Sequence, residues 1–174
     1  MLWVTRSRIR VNRAATGWLI RRFVDPDASF LFVDPSEVAR VEREQRAIGF
    51  DAPGARYPHK DLAGRCSFEV LVQECRPCDP ALRELSRIVH CADFPDELAQ
   101  VVPDPTLRLG TLDRVSLAGS SWSQPSESVK LEAVGLRSIS HGFPLVAADD
   151  YETLERSAFL YDSLYVGLKE RVGG

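Results

Sequence analysis

Six arginines near the start of the chain are its most concentrated chemical feature. The first 24 residues contain no acid and carry a net charge of +6, whereas the whole 174-residue chain carries −3, so that the rest carries −9. Guanidinium groups and the N-terminus of a helix are natural partners for a tetrahedral oxyanion. The alternative is a solvated face whose arginines pair with acidic residues elsewhere. The predicted anion-binding residues are Arg6, Arg8, Arg10, Arg13, Arg21 and Arg22.

A second group of residues combines the ligand types that transition metals prefer. Cys66 and Glu69 are three residues apart, as are His90 and Asp93, so each pair shares a face if its segment is helical. Thiolate, imidazole and carboxylate ligands together bind zinc or iron. The alternative is that Cys66 is a small buried residue and His59 an ordinary loop residue. The predicted metal ligands are His59, Cys66, Glu69, His90 and Asp93.

Other chemical motifs are weaker. Cys75 and Cys78 form a lone C-x-x-C pair, which could be half of a zinc site, a redox pair or, as we favour, two incidental thiols. Glu155 and Asp162 lie seven residues apart on one face of the last predicted helix, where they could bind metal, pair with arginines or form an acidic flank. The sequence contains no glycine-rich phosphate loop and no nucleophile elbow.

The bulk composition is that of a globular domain, with 44% apolar and 27% charged residues. The net negative charge of residues 25–174 argues against a uniformly basic nucleic-acid-binding protein. No apolar segment follows the N-terminal arginines as in a signal peptide, and no apolar run approaches the ~20 residues that span a bilayer. We therefore expect a cytoplasmic protein without a membrane partner, whose four cysteines are reduced.

Apolar periodicity predicts the elements that must position these residues. The pattern indicates an α+β fold over residues 1–174, mostly helical, as a single domain with a small sheet from the N-terminal third. Alternation along a strand at 3–10 would place Arg6, Arg8 and Arg10 on one face. Residues 95–126 are irregular. The other predicted elements are a strand at 29–33, a helix at 127–141, and helices beginning near Asn12, Pro35, Ser67, Pro80 and Asp150.

Several motifs in order along the chain resemble one known family. The most specific run is Trp18-Leu19-Ile20-Arg21-Arg22-Phe23, with Trp3-Val4-Thr5-Arg6 before it and Asp25-Pro26 after it. Phe50-Asp51-Ala52-Pro53-Gly54, His59 and Arg65-Cys66-Ser67-Phe68-Glu69 follow, and Leu160–Tyr165 lies in the final helix. Together they are similar to the chromate-resistance protein family, specifically to the C-terminal domain of its chromate-responsive regulator.

The resemblance implies a function for the arginines. Chromate is a tetrahedral dianion, and the family handles or senses it. The implied role is a cytoplasmic sensing or binding domain for chromate or a related oxyanion. Whether the domain also binds a metal ion, zinc or iron, is left open by the resemblance. The full regulator of the family has an additional N-terminal DNA-binding region, so we expect a stand-alone relative that does not itself bind nucleic acid.

Two other functions remain open on the sequence. The first is a metal- or thiol-dependent enzyme of chromate or oxidative detoxification, in which Cys66 acts with His59 or His90. The second is a protein-interaction module that uses Trp122. We favour binding over turnover, and leave a homodimer open.

Overall fold

The computed structural model of the chain describes residues 1–96 and 125–173. It confirms an α+β fold in which helices predominate. The elements are β1 (Leu2–Arg6), α1 (Val11–Leu19) with a π-helical continuation (Ile20–Val24), β2 (Ser29–Val33), α2 (Val38–Gln45), β3 (Ile48–Gly49), α3 (Ser67–Cys75), α4 (Pro80–Asp93), α5 (Glu127–Val146) and α6 (Asp150–Gly173).

The sheet is parallel, with β1 between β2 and β3. Parallel neighbours require crossover connections, which α1 and α2 provide. Side chains alternate between the two faces of β1. Val4 packs with Val38 and Val41 of α2, whereas Trp3 belongs to the larger core that contains α1, α3, α4 and α6. Arg6, at the carboxyl end of β1, contacts the loop after β3, where its Nε donates to the Asp51 carbonyl at 2.7 Å.

The last helix packs against the first. The indole of Trp18 lies 6.0 Å from the ring of Tyr161 and 5.9 Å from that of Tyr165, measured between centroids. The buried Tyr161 hydroxyl donates to the carbonyl of Val11 at 2.9 Å. Helix α4 contacts both α5 and α6, and α1 also contacts α3. Within the described ranges, no helix combines the length and apolar character needed to cross a membrane.

The structure corrects the predicted arginine face. β1 ends at Arg6, and Arg8 has a φ of +58°, so Arg6, Arg8 and Arg10 do not alternate along one strand. The reason is tertiary: the amides of Arg8 and Ile9 donate to the Asp150 carboxylate at 2.8 and 2.7 Å, which replaces pairing within the sheet.

Three helix boundaries also differ from prediction. Arg10, not Asn12, caps α1, because Asn12 is buried inside the helix and bonds to other elements. α2 begins at Val38 rather than near Pro35, and it ends at Gln45, where Arg46 adopts a left-handed conformation. α5 continues to Val146, beyond the predicted end at residue 141, with Pro144 inside its last turn. The starts predicted at Ser67, Pro80 and 127 are confirmed, whereas Trp122 and most of segment 95–126 lie outside the described residues.

Asp150 joins the start of α6 to the loop after β1. We expect Asp150→Ala to lower the free energy of unfolding by about 1–3 kcal/mol, because two backbone amides lose a charged acceptor. Urea denaturation would measure this. Glu155→Ala, an exposed acid on the same helix, is the control. An equal effect of the two substitutions would contradict the assignment.

Candidate functional site

The carboxylate of Asp51 is the centre of a polar cluster. Its side chain is 1% exposed and accepts four hydrogen bonds. Oδ1 accepts from Asn12 Nδ2 at 2.6 Å and pairs with His59 Nδ1 at 2.7 Å. Oδ2 accepts from Arg6 Nη2 at 2.9 Å and from Arg13 Nη1 at 3.0 Å. We call Arg6, Arg13, Asp51, His59 and Asp93 the Asp51 cluster.

Local structure explains why these groups meet. Arg6 is the last residue of β1, and Arg13 lies in the first turn of α1. Asp51 has a φ of +51°, a left-handed conformation that Asp adopts more readily than most residues. Its amide donates to the Tyr57 carbonyl at 2.7 Å, and its own carbonyl accepts from Arg6 Nε at 2.7 Å. The turn therefore holds the carboxylate over the ends of β1 and α1.

The charges around Asp51 determine its protonation. Burial, the largest influence, raises the pKa of Asp51, but the hydrogen bond with His59 and the charges of Arg13, His59 and Arg6 outweigh it, so the pKa lies below its ordinary value. The bond to Asp51 raises the pKa of His59, against partial burial. The pair therefore favours an ionised carboxylate beside a protonated imidazole.

Asp93, on α4, behaves in the opposite way. Burial and then the negative charge of Asp51 raise the pKa of Asp93 to about 6, while His59 and the arginines oppose the rise. His59 Nδ1 lies 3.5 Å from Asp93 Oδ2, yet that oxygen is buried without a hydrogen bond among the described residues. Arg13 Nε is also buried there without a partner. The cluster thus contains an unpaired acceptor and an unpaired donor.

A second cluster lies at the start of α3. The Glu69 carboxylate caps the helix, since its Oε2 accepts from the Cys66 amide at 2.6 Å. The same oxygen pairs with His90 Nδ1, from α4, at 2.7 Å. One ligand atom of each residue lies within 4.8 Å of the other two. We call Cys66, Glu69 and His90 the Cys66 triad.

The two clusters are structural neighbours. His90 and Asp93 are one turn apart on α4, and the ring of Phe94 lies 4.9 Å from the His90 ring and 5.1 Å from that of His59. Asn12 provides a second link, because its Nδ2 donates to Asp51 while its Oδ1 accepts from the Phe68 amide in the first turn of α3 at 3.3 Å.

The predicted arginines therefore separate into two groups. Arg6 and Arg13 converge on Asp51, and the side chain of Arg13 also donates to the Arg8 carbonyl at 2.9 Å. Arg21 lies over the ring of Phe30 at 5.1 Å, and Arg22 pairs with Asp162 at 3.4 Å. The amide of Arg8 donates to Asp150, and Arg10 is the N-cap residue of α1.

The predicted metal ligands also divide. Cys66, Glu69 and His90 come together, whereas His59 and Asp93 lie with Asp51, and these three also place ligand atoms within 4.8 Å of one another. In the part of the chain that the structure describes, Cys75 and Cys78 belong to neither group. Asp51 was missed as a site residue, although it lies in the Phe50–Gly54 motif. The signal that could have revealed it is an acid placed between apolar residues directly after a strand.

Comparison with known proteins identifies the family. The family described as "ChrB, C-terminal domain" matches residues 3–116, which include both clusters. The chain belongs to the ChrB C-terminal domain family. The resemblance seen in the motifs is thereby confirmed.

A curated relative shows how far this membership extends. The chain is 34% identical over 134 residues to Protein ChrB of Cupriavidus metallidurans, an alignment that covers 76% of the chain and 37% of that relative. The chain thus spans little more than a third of the ChrB protein it matches. No solved structure matches the chain.

The Asp51 carboxylate compensates two arginines, so we expect Asp51→Asn to lower the free energy of unfolding by about 3 kcal/mol or more, because it leaves buried positive charge unpaired. Asn tolerates the left-handed backbone, so the loss would reflect charge. Thermal and urea unfolding would measure it. Glu37→Gln, which removes an exposed partner of Arg40, is the control, and its effect should be much smaller because solvent screens the pair.

The raised pKa of Asp93 makes a pH-dependent prediction. The pKa of Asp93 is higher in the folded than in the unfolded protein. The folded protein therefore loses stability as the pH rises from about 4, near the unfolded pKa, to about 6, the folded pKa. Asp93→Asn removes this loss, so the variant should gain on the order of 2–3 kcal/mol relative to the parent between pH 4 and pH 7.5. Urea denaturation at both pH values would show it. Asp96→Asn, at an exposed acid, is the control, and a pH-independent difference for Asp93→Asn would refute the interpretation.

Proposed function

We propose that this chain is the oxyanion-sensing domain of a chromate-resistance regulator and that it binds chromate at the Asp51 cluster. One observation carries the proposal: two guanidinium groups and an imidazole are held side by side, and Arg13 Nε is buried with no acceptor among the described residues. A buried donor without a partner is unfavourable, and an anion oxygen would satisfy it.

In this proposal Asp51 positions the cations. Each guanidinium has five N–H donors, and Asp51 and the Arg8 carbonyl engage only some of those of Arg13. The remaining donors can bind an oxyanion without breaking the contacts to Asp51. The side chains of Arg6, Arg13 and His59 are 24%, 15% and 39% exposed, so a small anion can reach them from solvent.

The proposal narrows the predicted anion site to Arg6 and Arg13, and adds His59. Arg21 and Arg22 have other neighbours, an aromatic ring and Asp162, which favours a structural role for both. The family resemblance supports chromate as the anion and regulation as the purpose. Direct binding to nucleic acid is not expected of this domain, whose proposed partner is the oxyanion.

The rival enzyme function receives less support from the site. A catalytic thiol is usually accessible and has a lowered pKa. Cys66 is fully buried, and burial together with the charge of Glu69 raises the pKa of its thiol well above the ordinary value. These features favour a binding role for the domain over thiol-based turnover.

Equilibrium dialysis against chromate tests the proposal. The protein is reduced beforehand, the reductant is removed, and sulfate is added as a competitor. We expect saturable binding that excess sulfate does not abolish. Arg13→Gln should weaken it by about 10- to 100-fold, since charged hydrogen bonds contribute about 1.5–3 kcal/mol. His59→Gln, at a half-exposed side chain, is a second variant that should fold normally and bind more weakly.

Arg87→Gln is the matched control, because Arg87 is an exposed arginine paired with Glu84 on α4. Its affinity should equal that of the parent. Circular dichroism of each variant establishes that it is folded. Absence of saturable binding by the parent, or equal affinity in all folded variants, would refute the anion site.

A further inference from the structure

The Cys66 triad has features that anion binding at the Asp51 cluster does not explain. Glu69 is 4% exposed, and its Oε2 already accepts from Cys66 and pairs with His90. Its other oxygen, Oε1, is buried without a hydrogen bond among the described residues. A buried carboxylate oxygen without a donor is costly. The residue that carries this oxygen lies beside a thiol and an imidazole, two further groups that can bind a metal ion.

The residue at the cap of α3 is also unusual. Cys66 accepts from the Glu69 amide, and Glu69 accepts from the Cys66 amide, which is a capping box. Serine and threonine are the residues that normally occupy this position, because their hydroxyl is the better acceptor. Cysteine weakens the cap but offers a sulfur atom, a donor that zinc prefers. The fold of α3 therefore does not by itself account for the thiol.

We propose that Cys66, Glu69 and His90 bind one Zn²⁺ ion. Zinc takes sulfur, nitrogen and carboxylate ligands in a tetrahedral arrangement, with ligand atoms about 3.5 Å apart. The three ligand atoms already lie within 4.8 Å of one another, so small side-chain rotations suffice. Three protein ligands leave the fourth position for another donor.

The charges of the site suit a divalent cation. A thiolate and a carboxylate neutralise Zn²⁺, and His90 contributes as a neutral imidazole. The thiol proton is released to solvent when the ion binds. A neutral complex is the form that a buried position accepts at least cost. In the metal-free protein, the hydrogen bond between His90 Nδ1 and Glu69 Oε2 keeps two of the ligands together.

The Asp51 cluster does not suit a cation, although Asp51, His59 and Asp93 are equally close together. Two arginines already occupy Asp51 Oδ2, and their charges would repel a divalent ion. No lysine or arginine forms an ion pair with Glu69 in the described part of the chain. The inference therefore concerns a second site, independent of the proposed anion site.

A Zn²⁺ titration tests the inference. The reduced chain is first treated with a chelator and is then titrated with Zn²⁺ in the presence of a chromophoric competitor. A parallel titration with Co²⁺ reports thiolate ligation through its charge-transfer absorption. We expect one equivalent of tight binding. Cys66→Ser should keep the helix cap, because serine is favoured there, but should bind more than about 100-fold more weakly and lose the charge-transfer band. Glu69→Gln should weaken binding as well.

The double variant Cys75→Ser, Cys78→Ser is the matched control, and Arg13→Gln separates this site from the anion site. Both should bind Zn²⁺ as the parent does. The inference is overturned if the parent binds no stoichiometric Zn²⁺, if Cys66→Ser retains the parent affinity and the charge-transfer band, or if the Cys75/Cys78 variant abolishes binding.

Discussion

The burial of one carboxylate, that of Asp51, constrains much of this fold. An acid at 1% exposure is tolerated only when its charge and its oxygens are all compensated. The compensating groups come from the end of β1, from two positions on α1 and from the loop at His59. Each of these elements must therefore lie within hydrogen-bonding distance of one point, and the sheet and the helices that pack on it are arranged around that point.

The same constraint separates two kinds of chemistry over a short distance. Arg6 and Arg13 both pair with Oδ2 of the Asp51 carboxylate, which gives that region two fixed positive charges. One turn of α4 before Asp93, His90 meets Glu69 of α3 beside the Cys66 thiol, and no arginine forms an ion pair with Glu69 among the described residues. Asn12 connects the two regions, since its amide bonds to Asp51 and to the first turn of α3.

The sequence predicted what depends on local signals. Asp79 followed by Pro80 begins α4 as expected, with the Asp79 side chain accepting from the Leu82 amide. Most of the residues that form the two clusters were also named from the sequence, because their types and spacing are visible there. Asp51, which pairs with several of them, was not named, since it meets these partners only when elements distant in sequence come together. Asn12 looks like a helix cap in sequence, but tertiary hydrogen bonds place it inside α1. Arg8 leaves the strand for a similar reason, as its amide bonds to Asp150, 142 residues later.

The contacts of α6 have a consequence for biosynthesis. Helix α1, which carries Arg13, is held by Tyr161 through Val11 and by Asp162 through the Trp18 indole, and the loop before it by Asp150. These residues are synthesised between 141 and 150 positions after their partners. Contacts between such distant residues form late, because the chain must first close a long loop. The arginine site therefore acquires its final shape only when the last helix has been translated, and a nascent chain lacking α6 would present its arginines without that support.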